Sequence, residues 1–409
     1  MSYSESASSA ADSGERSTGT GVSIAILALA GFVIVTTEFL IIGLLPALAR
    51  DLGISISVAG LLVTLFAFTV MLFGPPLTAM LSHLDRKRTF IAILLIFAAS
   101  NALAAVSSTI WVLAVARFIP ALALPVFWGT ASETASLLAG PKNAGKAVAQ
   151  VYLGISAAML LGIPLGTVFA DAVGWRGAFW ALTVLSGLMA LLLALSMPHL
   201  APTEKVGLAQ QARILRDRHF MMNLLLSILL FTAMFAAYTY LADTLERIAH
   251  VAPAQVGWWL MGFGAVGLIG NGLGGRYVDR SPLGSTMVFA LLLALGMSAS
   301  VPMAGSLPLL AVVLMVWGIA HTALFPICQI RVMKAAPQAQ ALAGTLNVSA
   351  ANAGIGLGSI IGGATIEHFG LESVGHVAAG VAVLAIAVAW LTLLQARSAC
   401  SRMNSLPHK

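Results

Sequence analysis

Residues 22–46 read "VSIAILALAGFVIVTTEFLIIGLLP", a run of 25 with one ionisable side chain, Glu38. About 20 mainly apolar residues suffice for a helix to cross the hydrocarbon core of a bilayer, so this run is long enough to span it. Eleven similar runs follow, at residues 57–81, 89–107, 110–133, 146–170, 177–197, 220–243, 254–276, 285–305, 307–330, 340–366 and 373–395. None shows the period-two alternation of barrel strands, and in lipid only helices or closed barrels satisfy their own backbone. The spacing therefore predicts twelve transmembrane helices. Composition agrees: of 409 residues, 59% are hydrophobic and 9% charged, against roughly 25% charged in a soluble domain. The chain reads as an all-α polytopic membrane protein whose solvent is the lipid bilayer.

Lys and Arg set the expected orientation. With both termini cytoplasmic, 17 of the 21 basic residues fall in inside segments, and 3 (Arg50, Arg176 and Arg247) fall outside; Arg117 lies within a span. The positive-inside rule then places both termini in the cytoplasm. It also accounts for the net charge of +6 without nucleic acid as a partner. The opening "MSYSESASSAADSGERSTGT" has no basic start and no short apolar core, so it reads as a disordered tail rather than a signal peptide. Cys328 lies in a span and Cys400 in the final tail, which leaves no disulfide or cysteine-based metal framework. No metal or cofactor is expected.

The two halves of the chain repeat each other. "VAGLLVTLFAF" at 58–68 parallels "QVGWWLMGFGA" at 255–265, aligning Gly60 with Gly257; Gly162, Gly166 and Gly174 align with Gly358, Gly362 and Gly370. The offset is 197 for the first pair (257 − 60) and 196 for the others (358 − 162). A nearly constant offset indicates a duplicated six-span unit, the plan of a parallel-repeat transporter with its site between the halves. The expected layout is a tail at 1–21, a six-helix bundle at 22–198, a cytoplasmic linker at 199–219, a second bundle at 220–396 and a tail at 397–409.

Several motif matches carry no chemistry. "GFGAVG" at 262–267 fits a dinucleotide fingerprint but lies deep in an apolar span with no strand before it, and the "NVS" at Asn347 is equally buried. No zinc-protease helix, nucleophile elbow or Walker loop is present, so neither an enzyme nor an ATP-driven pump is expected.

"GGRYVDRSPLG" at 274–284 joins spans eight and nine and resembles the G-x-x-x-D-R loop motif of the major facilitator superfamily, with Gly275, Asp279 and Arg280 in place. Glycine permits close helix approach, and an acid and a base at a helix end can lock and release a loop. A solvated basic turn is the plainer reading. The matching loop of the first half, "MLSHLDRKRTF" at 80–90, keeps Asp85, Arg86 and Lys87 but lacks the glycines, and carries a gating role only weakly. Span five, "GISAAMLLGIPLGTVFADAVGWRGAFW" at 154–180, resembles the antiporter signature of that superfamily through Gly162, Pro164 and Gly166. Glycines four apart allow backbone-to-backbone packing and proline bends the helix. Ordinary small-residue packing explains the same pattern.

Glu38 and Arg117 are the clearest charges within spans. Glu38 lies eight residues inside Pro46 and Arg117 seven inside Ile110, about 12 and 10 Å at the helical rise. They are expected at one depth. A midplane charge costs about 2.5–3.5 kcal/mol on insertion scales, and residues that bear this cost usually serve an ion or substrate pathway. Two readings of Glu38 stay open: a carboxylate that loads and unloads a proton, or a static group paired with Arg117 or hydrogen-bonded to Thr36 or Thr37.

The "TTEF" of span one, the "ARFIPALALP" around Arg117 and the "AAYTYLADTL" of span seven resemble the drug:proton antiporter family, nearest to its bacterial sugar, arabinose and purine ribonucleoside exporters. Pro120 and Ala121 depart from the family pattern after the arginine. The resemblance implies two pseudo-symmetric six-helix bundles and a monomer in the bacterial inner membrane. It further implies proton-driven efflux by alternating access, with Glu38 and Arg117 coupling the proton. Chloramphenicol-type drug efflux, proton symport for uptake and a non-transporting receptor remain as alternatives. Thr37, Trp128, Tyr238, Tyr240, His321 and Gln329 are candidates to line the solute cavity. Aromatics with a polar tip suit a sugar or base, though Trp and Tyr near span ends also act as interfacial anchors, and an isolated His is often merely hydrogen-bonded.

Overall fold

The computed structural model describes residues 4–81, 84–140, 144–198, 212–278, 280–337 and 340–404. Asp279, most of the 199–219 linker and the extreme ends of both tails lie outside them. The described chain is helical, with no strand. Spans one to four are Ser4–Leu52, Ile56–Leu81, Arg86–Ala105 and Ile110–Ala139. Span five is built from Ala144–Ala157, a π-helical turn at Ala158–Gly162, and Ile163–Val173; span six is Trp175–Ser196. Span seven runs Arg218–Tyr238, breaks at Thr239, and resumes as Leu241–Arg247. Spans eight to twelve are Pro253–Val278, Pro282–Ser300, Leu307–Lys334, Gln340–Phe369 and Val374–Asn404.

Among the described residues, 11 of these helices are long and apolar enough to cross a bilayer. Span eleven is as long as the others, but glycine, alanine and the amides Asn347 and Asn352 stand where its neighbours carry leucine. The outward faces suit lipid: Trp111 is 79% exposed, Leu195 75% and Val184 67%, a pattern that would be costly against water.

Pro46 was the expected end of span one, yet it sits inside the helix, which continues to Leu52. Proline forbids only its own N–H bond and crowds the preceding turn. Gly53, with φ +63°, makes the actual turn.

The chain falls into two compact units, Met1–Leu40 with Pro76–Lys205, and Ile41–Pro75 with Val206–Lys409. In the first, span three packs on spans four and six, and span four on span five. In the second, span nine packs on ten and twelve, seven on eleven and twelve, and eight on ten. Pairs three–six and three–four thus recur as nine–twelve and nine–ten, as duplication requires. The turns repeat as well. Gly174 and Gly370 both take left-handed φ, +80° and +83°. Gly53 (φ +63°) is matched at an offset of 197 (250 − 53), that of Gly60 and Gly257, by His250, which has φ +53° without being glycine.

Candidate functional site

The turn of span one that carries Glu38 is gripped from three sides. Arg117, 2% exposed on span four, donates through Nη1 to the carbonyl of Thr37 and through Nη2 to that of Glu38, each at 2.6 Å. From span three, Asn101 Nδ2 donates to Thr37 Oγ1 at 3.1 Å. Span five closes the remaining side. A Cβ on Gly162 would land on the Thr36 hydroxyl, one on Gly166 would come within 2.6 Å of Leu40 Cδ1, and one on Gly154 within 2.9 Å of the Phe32 nitrogen. The glycine stripe of span five therefore seats directly on residues 28–40 of span one.

Span five owes its fit to a register change. Pro164 has no N–H to give, and just before it the Ile163 amide reaches back five residues to the Ala158 carbonyl, the mark of a π-helical turn. Such single turns inside α-helices concentrate at functional sites. Here the turn ends on Gly162, the residue facing Thr36.

The carboxylate of Glu38 is half-buried and makes no hydrogen bond or ion pair among the described residues, although it lies within electrostatic reach of Arg117. Among the described residues no ion pair or hydrogen bond joins the carboxylate to Arg117, Thr36 or Thr37: Arg117 donates to the backbone, Thr37 accepts from Asn101, and the buried Thr36 hydroxyl has no partner. Hydrogen bonds from a charged donor contribute about 1.5–3 kcal/mol each, so the guanidinium fixes the turn while the acid stays unclamped.

The remaining cavity candidates fall in separate places. Trp128 is half-buried over Gly31 and packs against Phe127 and Tyr152, with ring centroids 5.2 and 5.3 Å away. Tyr238 and His321 meet at 4.8 Å in a cluster with Phe235, Phe263 and Phe325. Both nitrogens of His321, and Nε1 of Trp317 one turn earlier, lack hydrogen-bond partners among the described residues. Gln329 Oε1 accepts from Asn347 Nδ2 at 2.7 Å. Tyr240 is fully buried, its hydroxyl donating to the Ser359 carbonyl at 2.8 Å. Tyr238 and Tyr240, at 5% and 0% exposure, are packed inside protein and not placed as interfacial anchors.

The loop motifs differ from expectation in detail. A Cβ on Gly275 would meet open space; it is Gly274 that allows close approach, its position lying 2.9 Å from Ala323 Cα on span ten. Gly275 faces away because it follows Gly274 by 100° around the helix. Arg280 stacks over Tyr277, with 5.7 Å to the ring centroid. In the first half, Asp85 caps span three by accepting from the Arg88 amide at 2.8 Å. Arg86 turns inward, 1% exposed, and pairs with Glu133 of span four at 2.5 Å. Lys87 is half-buried. Sequence reasoning passed over Asn101 and the Arg86–Glu133 pair; a lone amide in "FAASNALAAV" (97–106) was the available signal for the first.

A duplicated set of membrane-spanning helices, with an intramembrane acid and base together on spans one and four, defines a secondary transporter. The chain belongs to the Major Facilitator Superfamily, whose profile matches it twice, over residues 27–251 and 224–403. It is 33% identical over 364 residues to the "Inner membrane transport protein YdhP" of Escherichia coli (strain K12), covering 88% of this chain and 94% of that one. It is 29% identical over 372 residues to a "Probable sugar efflux transporter" of Mannheimia succiniciproducens, covering 91% and 93%. Among solved structures, an inward-facing bacterial homologue of the human lysosomal transporter Spinster aligns with a TM-score of 0.75 at 17% identity, covering 92% of this chain and 96% of that one. The nucleoside transporter NupG aligns at 0.73 and 16%, covering 91% and 99%. At such identities the last two establish the fold alone.

Proposed function

We propose that this transporter exports a small organic solute of the sugar or nucleoside class across the bacterial inner membrane in exchange for protons, by alternating access. Both termini then lie in the cytoplasm, and one chain is the working unit. The observation that carries the reading is the unclamped Glu38 carboxylate on a turn held firmly by other groups. An acid without a fixed partner can take and release a proton without breaking a structural bond. Arg117 close by stabilises the ionised form, and the hydrocarbon surroundings favour the neutral one, so small rearrangements shift the balance between them. The glycine stripe of span five bears on the same turn and gives that rearrangement a mechanical route into the bundle.

The relatives named as an inner membrane transport protein and a probable sugar efflux transporter support location and direction. The nucleoside transporter among the folds makes nucleosides the natural second arm of a substrate panel. The test uses purified protein in liposomes with an imposed pH gradient and a panel of sugars, nucleosides and phenicols. Gradient-driven export of a panel member, lost in Glu38→Gln, is the expected result. Gradient-independent flux that is unchanged in Glu38→Gln would overturn proton coupling, and phenicol-only export would move the solute class.

A further inference from the structure

We propose that a pocket at the outer mouth of the second compact unit is a solute site in its own right, one that reads a pair of adjacent hydroxyl groups on a sugar or ribose ring. The proposal rests on the sugar or nucleoside reading above for the class of solute, but not on proton coupling. The pocket holds about 550 Å³, within the usual range for small-molecule sites. Its wall comes from the end of span one, the start of span two, the short second helix of span seven and the end of span eleven. All of these belong to the second compact unit. Arg50 and Arg247 line it with side chains 59% and 62% exposed, so the mouth meets water, and in the orientation proposed above it faces outward.

The lining divides by chemistry. Pro46, Ile54, Ile56 and Ile366 form an apolar wall. With them stand two carboxylates, Asp243 and Glu367, and the two arginines. These four formal charges cancel, so the pocket has no net charge to draw an ion and suits a neutral solute.

The donors of the pocket are largely spent. Arg50 Nη1 donates to Glu246 at 2.5 Å, Arg247 Nη1 to Asp243 Oδ2 at 3.3 Å, and the Ser57 hydroxyl to the Gly363 carbonyl at 3.0 Å. What remains is acceptor capacity. Asp243 is 5% exposed, yet its Oδ1 accepts no hydrogen bond among the described residues, and a carboxylate has room for about four. Glu367 is exposed and makes no hydrogen bond or ion pair among them. A buried acid so short of donors is costly unless a ligand or water supplies them. A ligand that brings O–H donors and no charge fits this deficit. Hydroxyls on neighbouring carbons can donate to both oxygens of one carboxylate, and bonds to an ionised acceptor are roughly twice as strong as neutral ones. A site built on such bonds discriminates against a ring that lacks one hydroxyl.

Labelling of a thiol in the wall tests this without transport. Ala49→Cys lines the pocket, and in a Cys400→Ser background the other cysteine, Cys328, is buried. The purified full-length protein is treated with a maleimide and the rate is followed against added solute. Adenosine or L-arabinose, both with adjacent hydroxyls, is expected to slow labelling; 2′-deoxyadenosine, which lacks the pair, should need at least about tenfold more. Glu367→Gln and Asp243→Asn should each raise the concentration for half-protection about tenfold or more, as expected for losing a hydrogen bond to a charged group. Glu367 is exposed, so its substitution leaves the fold intact. Arg247→Gln breaks the same ion pair as Asp243→Asn but keeps the carboxylate, and should keep the protection. No protection by either solute, 2′-deoxyadenosine protecting as well as both, or protection lost as fully in Arg247→Gln as in Asp243→Asn would overturn the site and leave proton antiport standing. Loss of gradient-driven export with protection retained would remove antiport and keep the site.

Discussion

Replacing Glu38 by Gln and Arg117 by Met should have opposite signatures, because the two side chains do different jobs on the same turn. Gln keeps the shape of Glu and leaves the Glu38 carbonyl in place, so both bonds from Arg117 survive. The lost carboxylate has no hydrogen-bond partner among the described residues, and a substitution that breaks no such feature usually changes stability by no more than about 0.5 kcal/mol. Arg117→Met removes two charge-assisted bonds of about 1.5–3 kcal/mol each. A destabilisation of roughly 3 kcal/mol or more follows, allowing for their sharing one residue. The assays are thermal unfolding of the purified proteins and, in liposomes, two kinds of flux: export driven by a pH gradient, and solute-for-solute exchange without one. Glu38→Gln should unfold like the native chain, exchange solute like the native chain, and fail to respond to the gradient. Arg117→Met should unfold earlier and lose both fluxes. If Glu38→Gln unfolds as early as Arg117→Met, the carboxylate is structural and the proton role falls.

Further outcomes follow from the same contacts. Gly162→Ala puts a methyl group onto the Thr36 hydroxyl and should destabilise by about 1–3 kcal/mol. Gly187→Ala, whose added Cβ meets nothing within 4 Å, should instead stabilise by about 0.5–1 kcal/mol, both read by thermal unfolding. Glu133→Gln leaves the buried Arg86 short of its charge partner and should cost about 1–3 kcal/mol, less than a fully buried pair because Glu133 is 38% exposed. His250→Gly relieves a left-handed backbone and should leave the protein at least as stable as native, whereas His250→Ile should weaken it by about 1 kcal/mol.

The duplication and the span count were legible because hydropathy and glycine spacing are long-range regularities that local detail does not disturb. What was illegible turned on which atom makes a contact. Glu38 and Arg117 were placed at one depth by counting from Pro46 and Ile110, and they do meet. Yet span one continues six residues past Pro46 (52 − 46), so the reference point was not the helix end. The bond runs to the backbone carbonyls, and no spacing rule distinguishes these from the carboxylate two atoms beyond Cβ. The loop motif was likewise one residue out: a run of Gly-Gly leaves the packing face undecided until span ten is in place, and Ala323 selects Gly274. The degenerate loop of the first half lost its glycines but kept Arg86, whose partner Glu133 lies 47 residues on.

The two halves share a packing register but differ in the polar groups it holds. Gly162 seats against Thr36 and Gly166 against Leu40; at an offset of 196, Gly358 seats against Thr232 and Gly362 against Ala236. The register of span five on span one is thus reproduced by span eleven on span seven, which makes residue-by-residue correspondence valid across this interface. Carried two residues beyond Thr232, it sets Met234 opposite Glu38 (38 + 196 = 234), and Met234 is completely buried. The same offsets bring Arg117 to Val313 or Leu314. Where the first half holds an acid and a base, the second holds apolar side chains in a matching frame. A bilayer penalises each intramembrane charge, so the first half bears at this turn a cost that the second does not. In the first half the pair sits on a turn that Arg117, Asn101 and the span-five glycines hold, with no hydrogen bond to the Glu38 carboxylate among the described residues, in keeping with the proton-carrying role proposed for it.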